Sequence, residues 1–250
     1  MRDFVKALHP ETNVDNFSRF DGTITFFSFV KGAMKRVGAR KVLDYGAGRG
    51  SFFYINTEAE GSLFKRELMD LRTDGAEVWA CDIDEVVLTH PASDHQVHIK
   101  PGAPLPFEDE TFDVIVSEVT FEHIAEPEPV ARELLRILKP GGYICARTPN
   151  KYGYVTVAAR IVPNRRHSQV LRWIAPAKHE MDIFPTVFKM NTVRTIKRLF
   201  AGCDVYWYRE SAQPSYYFGS SILYRLMLGL HAILPNALAT SLCVFIRKPK

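Results

Sequence analysis

Between Lys41 and Thr148 one pattern repeats, and it restricts the fold more than any other feature of the chain. Short apolar runs, KVLDYG (41–46), EVWACDID (77–84), QVHIK (96–100), FDVIVSE (112–118) and YICART (143–148), alternate with helical patterns. Strands that are apolar throughout, rather than at every second residue, belong to a parallel sheet covered on both faces. Its crossovers must be right-handed. The helical patterns are residues 61–72 and the face marked by Val130, Leu134, Leu135 and Leu138, which Pro140-Gly141-Gly142 is expected to end. Ahead of them, residues 17–37 read as a leading helix, because Phe26, Phe27, Val30, Met34 and Val37 recur at helical spacing and Gly38 can stop it.

After Pro149 the rhythm changes. Residues 150–190 hold Pro163, Pro176 and Pro185 among aromatic and basic residues, and read as an inserted cap. A helix at 191–200, a strand at 204–210, an apolar helix near 220–232 and a last strand at 240–247 then complete the sheet. The chain divides into an N-terminal helical segment (1–38), a core (39–149), the cap (150–190) and a C-terminal completion (191–250), all within one domain of 250 residues.

A formal charge of +4 suits an acidic or anionic partner but is too small to indicate nucleic acid. The four cysteines are widely spaced with no CxxC, which suits free thiols in a reducing, cytoplasmic setting. The opening MRDFVKALHPETN lacks the apolar core of a signal peptide. From Leu226 to Ile246 there is no Lys, Arg, Asp or Glu, a length that could span a bilayer. Pro235-Asn236 within it favours helix, turn and strand instead, and leaves peripheral membrane contact through 220–232 open.

The chemical signal lies in VLDYGAGRG (42–50). Glycines directly after a strand let the backbone turn sharply and approach a ligand. The spacing is GxGxG, with Ser51 where a dinucleotide fingerprint would have its third small residue. Asp44 precedes the glycines and Asp82 ends the next strand. Acids on both flanks suit a ligand with a ribose and a cationic end better than one with two phosphates. Asp82 is alternatively a helix N-cap.

These segments together resemble the class I S-adenosylmethionine-dependent methyltransferases, of the type-11 group. LDYGAGRG resembles that family's first motif and CDID its second-strand acid. LPFEDETFDVIVSEVTFEHI (105–124) and ELLRILKPGG (133–142) resemble the two segments that follow. The resemblance covers roughly residues 40–150. It implies a Rossmann-like, doubly wound α/β fold with a seven-stranded, mostly parallel sheet and an antiparallel last strand. It also implies S-adenosylmethionine as cofactor. Gly46, Ala47, Gly48 and Gly50 would line the methionine and ribose part, and Asp44 would orient the amino end. Asp82 would take the ribose hydroxyls, Ile83 would lie on the adenine, and Ser117 would approach the sulfur. The acid that many relatives carry shortly before LPF is replaced by Lys100-Pro101-Gly102-Ala103.

Methyl transfer needs alignment, exclusion of water and, for a hydroxyl acceptor, a base. Glu122 and His123 after the fourth strand, and His179 in the cap, are candidates; Glu122-His123 also reads as a structural pair. With Val119 where some relatives carry an extra Glu, the metal-binding tetrad is not matched, and no metal is expected. In the cap, Tyr152, Tyr154, Arg166 and His167 could line a pocket for a small-molecule, saccharide or lipid-linked acceptor, or form a solvated basic face. SEVT (117–120) stands where a base-methylating enzyme would show N-P-P-Y, which disfavours nucleic acid. The expected reaction is O-methylation. The alternatives are an NAD-dependent oxidoreductase and a non-catalytic, membrane-associated protein of the same fold.

Overall fold

A computed structural model describes residues 3–50, 61–72, 75–161, 185–214 and 217–250. The elements in chain order are α1 (Asp3–Leu8), α2 (Thr12–Asp15), α3 (Gly22–Val37), β1 (Lys41–Tyr45), α4 (Leu63–Met69), β2 (Glu77–Asp82), β3 (His95–His98), β4 (Phe112–Glu118), α5 (Pro127–Ile137), β5 (Leu138–Pro149), α6 (Tyr154–Ile161), α7 (Val193–Leu199), β6 (Asp204–Glu210), α8 (Ser221–Ile233) and β7 (Ser241–Arg247). The seven strands form one sheet in the order β3-β2-β1-β4-β5-β7-β6. β7 runs antiparallel to both β5 and β6, and the ladders from β3 across to β5 are parallel. The expected seven-stranded sheet with an antiparallel last strand is therefore found. Strand order reverses between β1 and β4, so the crevice of this sheet opens at their carboxyl ends.

The unbroken apolar strands are explained by two cores. Leu43, Ile115, Ile144, Leu242 and Val244 face α5 and α7, packing on Leu134, Ile137, Ile196 and Phe200. Val42, Val78, Val114, Val116 and Cys145 face the other way, onto Phe26, Phe27, Val30 and Met34 of α3. Burying such side chains contributes roughly 1.5–3 kcal/mol each. Cys81, Cys145 and Cys243 are buried, and all four cysteines are free thiols.

Two boundaries differ most from expectation. The leading helix starts at Gly22 rather than at residue 17, because the Asp21 carboxylate accepts from Thr23 N and Ile24 N and caps it there. Two short helices fill the residues before it. α5 gives way to strand at Leu138, ahead of Pro140-Gly141-Gly142, because Leu138 already pairs with Phe112. Gly142 sits inside β5, where a Cβ would come within 2.7 Å of Asp113 O.

The co-occurrence of LPF and ELLRILK also has a physical cause. Arg136 donates to the carbonyls of Leu105 and Phe107, and Glu133 accepts from Leu105 N at 2.8 Å. The helix thus grips the segment that feeds β4. Among the described residues no helix is long and apolar enough to cross a membrane.

Candidate functional site

β1 ends at Tyr45 and the chain turns through Gly46, Gly48 and Gly50, all in the left-handed region at φ +75°, +54° and +89°. The amides of Gly46 and Ala47 donate to Cys81 O, and Gly50 N donates to Ala47 O. The loop thereby stays against the end of β2. Gly46 has no room for a side chain, since a Cβ there would lie 2.3 Å from Thr120 Oγ1. Gly48 is the opposite case: among the described residues the nearest neighbour of a Cβ there would be Asp82 Oδ2 at 4.0 Å.

Asp82 is buried and its two oxygens are split. Oδ2 accepts from Gly48 N and Oδ1 from Asp84 N, both at 2.8 Å. It is not a helix cap. That role falls to Asp84, which accepts from Val86 N at the start of the 3-10 turn Glu85–Thr89. Asp44 lies across the loop. Burial, with Glu118 and then Asp82 nearby, raises its carboxyl to about 7. Glu118 ends β4 and pairs with Arg147 of β5, which also donates to Thr23 Oγ1 of α3. Three carboxyls, Asp44, Asp82 and Glu118, therefore surround the glycine turn, and Glu118 carries Arg147 as its cationic partner. Such a basket attracts a ligand that brings its own positive charge.

His90 belongs to this site and was not anticipated from sequence. It is buried, its Nδ1 accepts from Ala92 N, and its Nε2 stands 3.9 Å from Asp44 Oδ2. Burial lowers its pKa to about 4, so the ring is neutral. It also backs the turn, because a Cβ on Gly50 would reach 3.2 Å from His90 Nε2. Thr120 and Arg147 were missed as well. The pairing Glu118↔Arg147 is set by the β4–β5 register, and Thr120 reaches Gly46 O across 74 residues of sequence.

Ile83 is exposed, and its carbonyl bonds His98 Nε2. Ser117 is buried, and among the described residues its hydroxyl has no partner. Strand alternation puts it on the opposite face of β4 from Glu118.

The Glu122-His123 pair joins β4 to the chain returning from the cap. Glu122 is buried; Oε2 accepts from Thr148 Oγ1 at 2.9 Å, and its carbonyl accepts from Val187 N and Phe188 N. Thr148 Oγ1 in turn accepts from Asn191 Nδ2. His123 Nδ1 meets Pro185 O at 3.0 Å, so that nitrogen carries the proton. Tyr152 is exposed, whereas the Tyr154 hydroxyl meets His231 Nε2 at 2.7 Å and ties α6 to α8. His179, Arg166 and His167 lie outside the described residues. A groove of about 600 Å³ at the start of α5, lined in part by Lys151, Lys189 and Arg198, includes none of the glycine-turn residues.

Residues 60–146 match the family model described as a methyltransferase domain. Among curated proteins, the chain is similar to the ubiquinone biosynthesis O-methyltransferase of Caulobacter vibrioides, 33% identical over 73 residues, which is 29% of this chain and 27% of that protein. It is also similar to the demethylmenaquinone methyltransferase of Clavibacter sepedonicus, 30% identical over 118 residues, 45% of this chain and 42% of that one. The chain thus aligns with less than half the length of either relative. Among solved structures, the complex between the Haloferax volcanii Trm112 methyltransferase activator and its putative methyltransferase aligns with a TM-score of 0.52 at 17% identity, over 90% of both chains. The plantazolicin methyltransferase BpumL aligns with a TM-score of 0.51 at 12% identity, over 93% of this chain and 86% of that one. These last two likenesses are of fold alone.

Proposed function

We propose, from the class I, type-11-like methyltransferase domain this chain carries, that it moves a methyl group from S-adenosylmethionine to the hydroxyl of a small-molecule, saccharide or lipid-linked acceptor. One observation carries the reading. An open glycine position at Gly48 is bonded to Asp82, with Asp44 and Glu118 completing an anionic rim. The residues fit the cofactor on chemistry. Asp82 would take ribose hydroxyls with lone pairs left over from its two amide bonds. The uncrowded backbone at Gly48 admits close approach, and the ionised carboxyl of Asp44 offsets a positive charge, Glu118 being already paired with Arg147. When bound, the cofactor supplies an electrophilic methyl on a sulfonium. The protein's part is alignment, charge balance and exclusion of water. A pyrophosphate would meet three carboxyls, which argues against the NAD-dependent alternative.

The named relatives are described as a ubiquinone biosynthesis O-methyltransferase and a demethylmenaquinone methyltransferase, and a lipid-linked acceptor suits one surface of this chain. Ile222, Leu226 and Ile233 are exposed along α8, and Phe218 and Leu238 are exposed at its ends. The single formal charge between Ser211 and Thr240 is Arg225. An apolar helix face with a basic edge lies well on an anionic bilayer surface.

Calorimetry tests the central claim. S-adenosylhomocysteine should bind and raise the melting temperature, by about 2.7 kcal/mol of stability at a hundredfold excess over its dissociation constant, while NAD should do neither; binding of NAD alone would overturn it. For the surface, co-sedimentation with phosphatidylglycerol-containing liposomes should be lost in Leu226→Asp.

A further inference from the structure

Asp82 and His90 are placed by the same short turn. Asp84 N donates to Asp82 Oδ1, Asp84 Oδ1 accepts from Val86 N, and His90 N donates to Val87 O, closing the 3-10 turn Glu85–Thr89 over the buried Val87. The backbone therefore carries His90 back beneath the glycines instead of out to solvent. Gly50 seals it there. At φ +89°, a Cβ on Gly50 would fall 3.0 Å from Pro91 Cδ and 3.2 Å from His90 Nε2. The histidine is 6% exposed.

A backbone amide can only donate, so the bond from Ala92 N to His90 Nδ1 at 3.3 Å leaves Nδ1 bare and puts the proton of the neutral ring on Nε2. Burial keeps the ring neutral, lowering its pKa to about 4. Nε2–H is thus a donor fixed in place, and the acceptor it faces is Asp44 Oδ2 at 3.9 Å. That separation is about 1 Å beyond hydrogen-bond range. It suits a carboxyl whose pKa burial has raised to about 7, because the protonated acid needs no donor and the carboxylate does. The other groups around Asp44 among the described residues do not supply one. Glu118 and Asp82 are carboxyls themselves, Cys81 is a buried thiol, and Arg147 is committed to Glu118 and Thr23. On the far side of His90, Arg72 is paired with Asp70.

We propose that His90 is a positioning residue for the cofactor: as a cationic ligand end meets Asp44 and the carboxyl gives up its proton to solvent, His90 Nε2–H closes onto Oδ2 and holds the carboxylate aimed at that charge. The inference deepens the S-adenosylmethionine reading and rests on it, since the amino end of that cofactor brings the charge. A hydrogen bond given to the charged form favours that form, so ligand and His90 stabilise the same state of Asp44. His90 acts through Asp44 and takes no part in the transfer itself. Its effect therefore falls on ligand affinity and on the pH at which that affinity rises.

The experiment compares two ligands of the full chain by calorimetry between pH 6 and 8. S-adenosylhomocysteine carries the amino end; methylthioadenosine has the same nucleoside and thioether without it. In the wild type, S-adenosylhomocysteine affinity should rise with pH and methylthioadenosine affinity should stay level. His90→Phe, which keeps the ring volume and removes the donor, should move the rise upward by about one pH unit, a loss of up to roughly tenfold in affinity near neutrality. It should leave methylthioadenosine unaffected. His90→Gln, which returns an N–H at a similar reach, should recover most of the loss. Equal weakening of both ligands in His90→Phe would mark a packing role and overturn the assignment, as would an unmoved pH profile or no recovery in His90→Gln. Should neither variant fold, the imidazole N–H proton resonance of His90 in the wild type decides: it should move downfield when S-adenosylhomocysteine is added, and an unmoved resonance would overturn the proposal. A wild type that binds neither ligand at any pH would instead defeat the underlying methyltransferase reading.

Discussion

Gly48 N donates to Asp82 Oδ2 at 2.8 Å, joining the glycine turn after β1 to the carboxylate that ends β2. The bond holds the turn in shape before any ligand arrives, and it positions the acid that a ribose would seek. Replacing Asp82 by Ala removes the acceptor for Gly48 N and Asp84 N together. S-adenosylhomocysteine affinity should fall by about 1–3 kcal/mol, read by calorimetry. Asp82→Asn, which keeps one acceptor oxygen, should lose less. Wild-type affinity in Asp82→Ala would remove this residue from the site.

Gly46 and Gly48 are two residues apart and should fail differently. Gly46→Ala drives a methyl group into Thr120, at 2.3 Å, at a backbone angle of φ +75°. It should cost roughly 2–4 kcal/mol of stability, visible in a denaturant titration. At Gly48 a Cβ meets nothing closer than 4.0 Å among the described residues. Gly48 also holds φ +54°, so Gly48→Val should cost about 1–3 kcal/mol of backbone strain while keeping its circular dichroism, and should lose S-adenosylhomocysteine binding because the side chain fills the ligand's space.

Asp44 gives the site a pH dependence whose sign follows from burial. Its carboxyl is raised to about 7 in the folded chain, against an ordinary value near 3.8. The folded state therefore holds this proton more tightly than the unfolded one. The contribution to stability is complete below the ordinary value near 3.8 and is lost progressively as pH rises to about 7. Asp44→Asn should leave the ligand-free stability little changed below about pH 4 and raise it at pH 8, by about 1–3 kcal/mol. The cofactor should show the reverse preference, because ionised Asp44 faces its charge. Affinity for S-adenosylmethionine should thus rise between pH 6 and 8 in the wild type and stay flat in the variant.

Much of this was legible in the sequence where the cause is local. KVLDY and FDVIVSE announce β1 and β4 because buried parallel strands tolerate little besides branched and apolar residues. The glycine turn is legible because only glycine accepts three left-handed angles so close together. What stayed hidden depends on register and on distant chain. Arg147 neutralises Glu118 because the β4–β5 ladder sets them side by side. His90 sits by Asp44 because the 3-10 turn after β2 folds back under the glycines. No spacing in the sequence encodes either pairing. The end of α5 was misplaced by a few residues because Pro140-Gly141-Gly142 looks like a helix stop, while the strand had already begun by pairing Leu138 with Phe112.

The Glu122 side chain separates a structural from a catalytic reading of the Glu-His pair. It is 2% exposed, accepts from Thr148 Oγ1, and its backbone carbonyl anchors Val187 and Phe188. Thr148 in turn holds Asn191, whose backbone carbonyl accepts from Lys151 N. Glu122→Ala leaves the Thr148 hydroxyl without its acceptor inside the protein and opens a space beside it. The expected loss is about 2–4 kcal/mol of stability, with Glu122→Gln recovering most of it because the amide oxygen still accepts from Thr148. A catalytic carboxylate would behave otherwise, with both variants equally inactive and both near wild-type stability. Chemical denaturation of the two variants, alongside their S-adenosylhomocysteine affinities, distinguishes the cases. Equal stability of Glu122→Ala and the wild type would show that this carboxylate is not what fastens the returning chain to β5.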